Sequence, residues 1–526
     1  MILLTIFLIL IIYFVIDYIR ILNYWKNKNV KYLTPVPFLG SYTKLVFQTQ
    51  SFLDIIQEMY KKFPKERYVG VYQFTQPVLM VRDLELIKKI TIKDFDSFLD
   101  HHNVFKEDVD PLWGKNLFAS EGERWRSLRQ TLSPVFTSSK MRRMFKLMDD
   151  VSIKYVQHIK NHDEEVPEFE AADFFSKFTM DVIATTAFGL ECNSLEDEEF
   201  LTQGRILTDF SGLKKFKIFL AGVHPVILKA LGIKVVDDRP GTYFRKIIME
   251  TMEYREKHNI IRPDLVHLLM EARKGKLKFE EETEVNASFS QTKEYNAGNT
   301  KTLRKIDLDD DDITAQTLVF FFGGYDTVKI LMVFMLYELL MNPEVQDKLR
   351  KEMMALREKN EGKVTYEELL GLKYLDMVVS ETLRLWPIAA FIDRVCNKEY
   401  TIEPENPGEE KLVLEKGISV MVPVGGIQMD PKYWPNPTKF DPERFNEENK
   451  HKIQPNTYLP FGVGPRNCIG SRYALVDTKV FFYHLMTNFE IVTTRNTKLP
   501  AELLKNEMNL KIKGGLHFGL KKLNEN

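Results

Sequence analysis

Three long apolar segments stand out in the pattern of hydrophobic and polar positions along the chain. Residues 2–16 carry no charge and are almost wholly aliphatic or aromatic, which predicts a helix that faces lipid. Residues 309–341 predict one long helix that begins at acidic residues and ends before Pro343. Its middle is apolar nearly all round, so this helix should run through the protein core. A third apolar helix is predicted over residues 375–386, because Pro387 stops it.

The first segment predicts a membrane anchor. With Ile21 and Leu22 it offers about 20 residues, enough to span a bilayer. A cleaved signal peptide is the alternative, but the segment lacks a basic start and a small-residue cleavage site. Lysines directly after the span place the following chain in the cytosol. The predicted organisation is a transmembrane anchor over residues 1–22, a basic linker with a proline hinge over 23–40, and one large body over 41–526.

Composition agrees with a large folded body behind that anchor. Of the 526 residues, 44% are hydrophobic and 28% are charged, which supplies ample material for a core. We find no internal repeats and no linker long enough to divide the body. A net charge of -1 argues against nucleic acid as a partner. The three cysteines suit a reducing compartment without a disulfide framework.

The strongest chemical signal is a cysteine in a glycine-rich loop, Phe461-Gly462-Val463-Gly464-Pro465-Arg466-Asn467-Cys468-Ile469-Gly470. A thiolate at neutral pH needs nearby positive charge or a metal, and glycines let a flat cofactor approach the backbone closely. These features fit a cysteine that ligates haem iron through sulfur. A buried structural cysteine is the ordinary alternative. The flanking residues favour the haem ligand, because the loop resembles the haem-binding signature of the cytochrome P-450 superfamily at every specified position.

Two further segments share this resemblance. Glu381 and Arg384 lie three residues apart, on one face of the third helix, where they can pair. Together with Arg444, in Phe440-Asp441-Pro442-Glu443-Arg444-Phe445, they resemble the superfamily's ExxR and PERF segments. The resemblance implies a buried ion-pair network of Glu381, Arg384 and Arg444 that supports folding rather than chemistry.

The long central helix breaks a local rule at Gly323-Gly324-Tyr325-Asp326-Thr327, since glycines weaken a helix and a buried acid is costly. A kink with a hydrogen-bonded aspartate is the purely structural alternative. The segment is also similar to the superfamily's oxygen-activating stretch. That resemblance implies that Thr327 holds dioxygen and a water at the haem, while Asp326 helps to relay protons. Val328 stands where many members carry a second hydroxyl residue, which leaves one hydroxyl here.

The resemblance also assigns the remaining site residues. The haem propionates need cations or donors, and by motif these are Trp125, Arg129, Arg394 and Arg466, beside the axial ligand Cys468. The substrate pocket would be walled by Phe118, Val319, Phe322, Gly323, Ile388 and Ala389. By the resemblance, residues 209–231 would roof this pocket and touch the membrane, and an ordinary core segment is the alternative. Polar residues 274–308 predict a surface loop.

Within the superfamily the chain resembles the insect detoxification group, family nine, which is related to vertebrate family three. Among the segments that carry this likeness are Phe95-Asp96-Ser97-Phe98-Leu99-Asp100-His101 and Leu132-Ser133-Pro134-Val135-Phe136-Thr137. The implied fold is mainly α, a helix-rich P-450 body with a small β-sheet region and one N-terminal transmembrane helix. The implied protein is a haem-thiolate monooxygenase of the endoplasmic reticulum membrane, with haem b as its cofactor and its catalytic domain over residues 41–526.

The resemblance further implies how the enzyme is supplied and what it oxidises. Electrons would come from NADPH through NADPH-cytochrome P-450 reductase, and cytochrome b5 could be a second electron donor. A cluster of cations, Arg124, Arg126, Lys140, Arg142 and Arg143, would suit an acidic reductase domain. The expected substrates are lipophilic foreign compounds such as insecticides and plant metabolites. An endogenous steroid or fatty acid as substrate stays open, as does a non-catalytic haem-containing carrier of apolar ligands.

Overall fold

The computed structural model describes residues 2–102, 107, 110–209, 214, 217, 238–276, 288–291 and 307–523. Most of the predicted pocket roof, residues 209–231, and most of the predicted surface loop, residues 274–308, lie outside the described residues.

The described part of the chain is mainly helical, as the sequence predicted. Its α-helices, in chain order, are α1 (Ile2–Asn27), α2 (Thr43–Val46), α3 (Phe52–Lys61), α4 (Leu84–Lys88), α5 (Pro111–Gly114), α6 (Gly122–Leu132), α7 (Ser138–Lys160), α8 (Ala171–Ile183), α9 (Glu199–Thr208), α10 (Asp238–His258), α11 (Leu265–Arg273), α12 (Asp310–Met341), α13 (Pro343–Lys359), α14 (Tyr366–Leu370), α15 (Lys373–Leu385), α16 (Val424–Ile427) and α17 (Ser471–Met486). Single π-helical turns extend α4 over Lys89–Lys93 and α8 over Ala184–Phe188, and short 3₁₀ turns cover Phe95–Ser97, Ser133–Phe136, Pro442–Phe445 and Lys450–Lys452.

The described strands form three small sheets. The strands are β1 (Tyr68–Gln73), β2 (Gln76–Val81), β3 (Glu168–Glu170), β4 (Ile392–Val395), β5 (Tyr400–Ile402), β6 (Leu412–Leu414), β7 (Ser419–Val422), β8 (Phe489–Val492) and β9 (His517–Lys522). The largest sheet has the order β1-β2-β7-β4, with β2 and β7 parallel and its other pairs antiparallel. Antiparallel sheets of order β3-β9-β8 and β5-β6 complete the set.

Helix α12 is the central helix that the sequence predicted over residues 309–341. Asp309 caps it, because its side chain accepts a hydrogen bond from the N–H of Asp312 at 2.6 Å and the Asp312 side chain accepts one from the N–H of Asp309 at 3.2 Å. Within the described residues α12 is the helix long and apolar enough to cross a bilayer, but most of it is buried inside the protein. Helix α12 is therefore a core helix of the protein body.

Helix α1 covers the predicted anchor and continues to Asn27. Its end packs against the body, since Trp25 is fully buried and its Nε1 donates to the carbonyl oxygen of Val71 at 3.3 Å. Just beyond the helix, Lys28 forms an ion pair with Glu415 at 2.5 Å. The junction of helix and body is thus well packed, and a membrane-spanning role for the residues before it stays a prediction.

Helices α8 and α17 pack on α12 and bring the glycines of α12 close to the cysteine loop. A Cβ built on Gly324 would lie 2.7 Å from Cδ1 of Ile183 in α8 and 3.4 Å from Cε1 of Tyr473 in α17. The hydroxyl oxygens of Tyr473 and Thr186 are 2.8 Å apart, which ties α17 to the π turn after α8. Because α17 begins three residues after Cys468, this packing places the loop beside the middle of α12.

Candidate active site

The cysteine loop is held by its own backbone and by two glycines with positive φ. The N–H of Cys468 donates to the carbonyl oxygen of Phe461 at 2.8 Å, and the N–H of Asn467 donates to that of Gly464 at 3.0 Å. Gly462 and Gly464 adopt φ of 76° and 77°. A Cβ at Gly464 would lie 1.9 Å from the carbonyl oxygen of Thr91, so only glycine fits there.

Cys468 lies deep in the molecule, yet its side chain is exposed, so it faces an interior space. Burial raises the pKa of its thiol. The N–H of Gly470 and the positive charge of Arg129 act in the opposite direction and lower that pKa. Burial also raises the pKa of Cys192 to about 12 and that of Cys396 to about 11. Neither of these two thiols is exposed. Of the three cysteines, Cys468 is therefore the one open to a ligand, and a bound cation would be needed to hold it as a thiolate.

The predicted propionate residues gather around the cysteine loop. Arg129 donates to the carbonyl oxygen of Asn467 at 2.8 Å and to its side-chain oxygen at 2.7 Å. Arg394 donates to the carbonyl oxygen of Val463 at 3.1 Å. The guanidinium carbon of Arg466 lies 4.1 Å from the ring centre of Trp125, a cation–π contact. The structure thus brings together four residues that were predicted from three separate segments.

Sequence reasoning missed a histidine–aspartate pair in the same region. Nδ1 of His101 lies 2.9 Å from Oδ1 of Asp393, and the N–H of His102 donates to Oδ2 of Asp393 at 2.6 Å. Burial lowers the pKa of His101, and its charge interactions include both Arg394 and Arg466. The pair holds His101 beside the buried arginines. The two residues are 292 positions apart. The sequence signals that could have found them are that His101 ends a segment carrying the family likeness and that Asp393 adjoins Arg394.

The middle of α12 presents two different faces. On one face Gly323 is exposed and a Cβ built on it meets nothing within 4 Å, while Thr327, one turn later, donates its hydroxyl to the Gly323 carbonyl oxygen. On the other, Asp326 forms an ion pair with Lys329 at 2.5 Å and accepts a hydrogen bond from Asn509 at 3.0 Å. The predicted pair of Thr327 and Asp326 is therefore split, with the carboxylate held by partners that the sequence did not reveal.

The predicted pocket walls carry accessible apolar surface. Phe118 is 57% exposed and stacks on His101 with ring centres 4.9 Å apart. Its segment is tied to α12, because the N–H of Leu117 donates to Gln316 at 2.8 Å. Phe322 meets Trp113 edge to face at 5.6 Å. Val319 and Ile388 are half-buried, whereas Gly323 and Ala389 are exposed.

This geometry agrees with the comparisons of the chain with known proteins. A family model described as Cytochrome P-450 matches residues 30–517. The chain belongs to the cytochrome P-450 family. It is 42% identical over 516 residues to Cytochrome P-450 9e2 of Blattella germanica, which covers 95% of this chain and 93% of that protein. It is 40% identical over 510 residues to Probable cytochrome P-450 9f2 of Drosophila melanogaster, with 95% of each chain covered. Cytochrome P-450 6k1 of Blattella germanica is 35% identical over 490 residues, with 91% and 89% covered.

The predicted family and its insect family-nine relationship are confirmed, and the chain is a monooxygenase of the P-450 class with haem as its cofactor. When bound, haem supplies the redox chemistry that inserts one oxygen atom of dioxygen into a substrate. The N-terminal transmembrane helix, the electron donor and the individual residue roles stay predictions.

The residues of this P-450 chain fit a haem. Burial lowers the pKa of Arg394 to about 10 and that of Arg466 to about 9, and the charge of Arg394 adds to the shift at Arg466. Nε of Arg394 is buried and has no hydrogen-bond partner among the described residues. Two close, desolvated guanidinium groups with a spare donor suit the two propionates of a haem. The exposed thiol of Cys468 and the open space at Gly323 suit its iron and its flat ring.

The predicted folding network is assembled in the structure. Arg384 donates two hydrogen bonds to the carboxylate of Glu381, at 2.7 and 2.8 Å, and Nε of Arg444 lies 3.3 Å from the same carboxylate. The side chains of Glu381 and Arg384 are fully buried. Gln428 donates to the carbonyl oxygens of Leu383 and Arg384 at 3.1 and 3.0 Å. Its own oxygen accepts from the N–H of Leu459 at 2.8 Å, so it ties the end of α15 to the start of the cysteine loop.

Proposed function

We propose that this P-450 oxidises neutral lipophilic foreign compounds, using electrons from NADPH that arrive through a flavoprotein reductase. The observation that supports the substrate class is the character of the predicted pocket walls. Phe118, Val319, Phe322, Ile388 and Ala389 offer apolar surface and contain no charged or hydrogen-bonding side chain. Substrate would bind mainly by burial, at roughly 25 cal/mol per Å² of apolar area before the costs of association. Such a pocket discriminates weakly between molecules of similar bulk.

Phe391 supports the preference for uncharged substrates. It follows Ile388 and Ala389 in the same segment and is half-buried with its ring 5.8 Å from that of Phe52, so an apolar side chain rather than a cation occupies this position. The nearby Arg394 and Arg466 are bound to backbone carbonyl oxygens and are the residues proposed for the propionates. A fatty acid would therefore find no arginine in these wall segments for its carboxylate, which argues against the endogenous fatty-acid alternative.

The test is a panel of neutral lipophiles set against carboxylates of matching size and against steroids, with affinity read from the haem absorption and turnover from product. We expect several neutral foreign compounds to bind and to be oxidised, and the carboxylates to bind more weakly. Exclusive oxidation of one endogenous steroid or fatty acid would overturn the substrate class. Binding of all ligands without any oxygen consumption in the presence of reductase would instead favour the carrier alternative.

The proposed electron donor needs a basic face close to the haem ligand. Three cations of the predicted cluster are already paired within the protein, Arg124 with Asp312 at 2.5 Å, Arg126 with Asp96 at 2.6 Å, and Arg142 with Glu367. The Arg142–Glu367 pair is exposed on both sides and is therefore weak, so Arg142 can exchange partners when an acidic domain docks, whereas Asp312 and the side chain of Arg126 are largely buried. Reductase-driven turnover should fall steeply as salt rises, whereas turnover driven by added peroxide should not.

We also propose that the enzyme works at the cytosolic face of the endoplasmic reticulum membrane. The support is the uncharged run of residues 2–16 within α1, followed by Lys26, Lys28 and Lys31. An enzyme anchored in the membrane by a helix meets the lipophilic compounds that collect in that membrane.

A further inference from the structure

A cavity of about 300 Å³ lies between the start of α7 and the start of α11, and none of its lining residues belongs to the candidate active site. Three permanent cations, Lys140, Arg143 and Arg262, line it together with His267, and Glu271 is the one carboxylate in the lining. Three positive charges against one negative charge leave +2 when His267 is neutral. A surplus of positive charge in a partly open pocket favours an anion.

The lining of this cavity is fixed by a buried ion pair. Asp264 is fully buried and accepts hydrogen bonds from both terminal nitrogens of Arg255, each at 2.7 Å. The same carboxylate accepts from the N–H of His267 at 3.0 Å and so caps α11. A terminal nitrogen of Arg262 donates to the hydroxyl of Thr185 at 2.5 Å. The positions of Arg262 and His267 are therefore set before any ligand arrives, which lowers the cost of binding.

Two side chains of the lining keep nitrogens without a partner. Nδ1 of His267 is buried and makes no hydrogen bond in the described part of the chain, whereas Nε of Arg262 forms an ion pair with Oδ2 of Asp264 at 3.4 Å. The exposed Arg143 makes neither a hydrogen bond nor an ion pair with any residue that the structure describes. Nε2 of His267 lies 3.9 Å from Glu271, too far for a hydrogen bond. Buried polar nitrogens are normally satisfied, so the unpartnered Nδ1 of His267, in the same lining as the free guanidinium of Arg143, points to an acceptor that binds there.

The cavity also has an apolar side, formed by Ile261, Pro263 and Leu268. Ile261 is 83% exposed in the loop between α10 and α11, an unusual position for a large aliphatic side chain. We propose that this cavity binds a phosphate group attached to an apolar portion, with Arg143, Arg262 and His267 on the phosphate and Ile261 on the apolar portion. The same chemistry occurs in a soluble phosphate ester and in the headgroup region of an anionic phospholipid.

The test is calorimetric titration of the full-length, haem-loaded protein in detergent with phenyl phosphate, inorganic phosphate and dihexanoyl phosphatidate. We expect saturable binding, with phenyl phosphate tighter than inorganic phosphate. Arg143→Gln should weaken binding by about tenfold or more, since a charge-assisted contact is lost. Arg142→Gln is the matched control. It removes the same charge from the neighbouring position, but the Arg142 side chain pairs with Glu367 and does not line the cavity. Both variants should keep the spectrum of the reduced carbonyl complex.

Two results would overturn the proposal: absence of saturable binding of phenyl phosphate, or an equal loss of affinity in the Arg142→Gln control. If Arg143→Gln weakens dihexanoyl phosphatidate most, the site takes a lipid headgroup, and if it weakens phenyl phosphate most, the site takes a soluble ester. Either of these results supports the phosphate site. Dihexanoyl phosphatidylcholine, which has no net charge, should bind no better to the wild type than to Arg143→Gln.

Discussion

At the scale of single residues, the properties of Cys468 come from its surroundings rather than from its type. Cys192 is half-buried, and Cys396 is buried and donates its hydrogen to the carbonyl oxygen of Lys398 at 2.8 Å. Cys468→Ser should therefore abolish the thiolate-type spectrum of the reduced carbonyl complex, because a serine hydroxyl is a poor substitute for the sulfur ligand. Cys192→Ser is the control and should leave the spectrum unchanged. A retained spectrum in Cys468→Ser would show that the iron ligand lies elsewhere.

Glu338, near the end of α12, is a residue whose burial has a consequence for stability. It is 5% exposed and accepts hydrogen bonds from Trp386 at 2.8 Å and Asn342 at 3.1 Å. Burial raises the pKa of its carboxyl from the ordinary 4.5 to about 7, against the hydrogen bond from Trp386, and Glu381 adds to the rise. The folded protein thus holds this proton more tightly than the unfolded chain does.

The pH dependence follows from that difference. The stabilising contribution of the Glu338 proton is fully present below pH 4.5 and is lost as the pH rises through about 7. Relative to Glu338→Gln, the unfolding free energy of the wild type should fall by up to about 3 kcal/mol between pH 5 and pH 8. Urea unfolding of both proteins at each pH measures the difference. Glu344→Gln, at an exposed position in the next helix, should keep the wild-type profile.

At the scale of elements, α12 contains the same threonine-to-carbonyl hydrogen bond in two different settings. Thr327 donates to the Gly323 carbonyl oxygen on the open face, whereas Thr317 makes the same bond to Ile313 in the buried part of the helix. If the Thr327 hydroxyl positions the proton for oxygen activation, Thr327→Ala should bind substrate and consume NADPH but release more hydrogen peroxide per product. Thr317→Ala should lose some stability and keep its coupling. Equal coupling in wild type and Thr327→Ala would remove Thr327 from proton delivery.

The two adjacent glycines of α12 should respond in opposite ways to alanine, which favours a helix by about 1 kcal/mol. Gly323→Ala meets nothing within 4 Å, so it should raise the unfolding temperature while narrowing the space for bulky substrates. Gly324→Ala places its methyl group 2.7 Å from Cδ1 of the buried Ile183, so this substitution should lower the unfolding temperature. Adding Ile183→Val, which deletes that Cδ1, should restore part of the loss. Thermal unfolding of the four proteins would contradict this reasoning if Gly324→Ala proved as stable as Gly323→Ala.

The sequence predicted elements better than it predicted partners. The limits of α12 and α15 were predicted within two residues, because acidic caps and prolines are local signals. The pairing of Asp326 with Asn509 and of Asp393 with His101 was not predicted, since it joins positions 183 and 292 apart. Such contacts depend on how helices and loops pack, which no local pattern encodes. The arginines around Cys468 were predicted because each lies in a recognisable motif.

At the scale of the whole molecule, the structure suggests where a membrane anchor could be separated from the body. Tyr72 donates its hydroxyl to the carbonyl oxygen of Ile21 at 2.9 Å, and Trp25 fills the space that a Cβ at Gly70 would need, at 2.4 Å. The body therefore depends on α1 from about Ile21 onward. Residues 2–20 precede those contacts and carry the run of apolar side chains.

Two truncations test this division. A chain that begins at residue 21 should fold and keep its reduced carbonyl spectrum, but carbonate should extract it from membranes because the span is gone. A chain that begins at residue 32 loses Trp25 and the ion pair of Lys28 with Glu415, so it should unfold at lower temperature or fail to load haem. Trp25→Ala in the full chain separates packing from length: it should cost about 3–5 kcal/mol of stability while membrane insertion persists. If the chain from residue 21 still resists carbonate extraction, α1 is not the anchor and another apolar surface must hold the enzyme in the membrane.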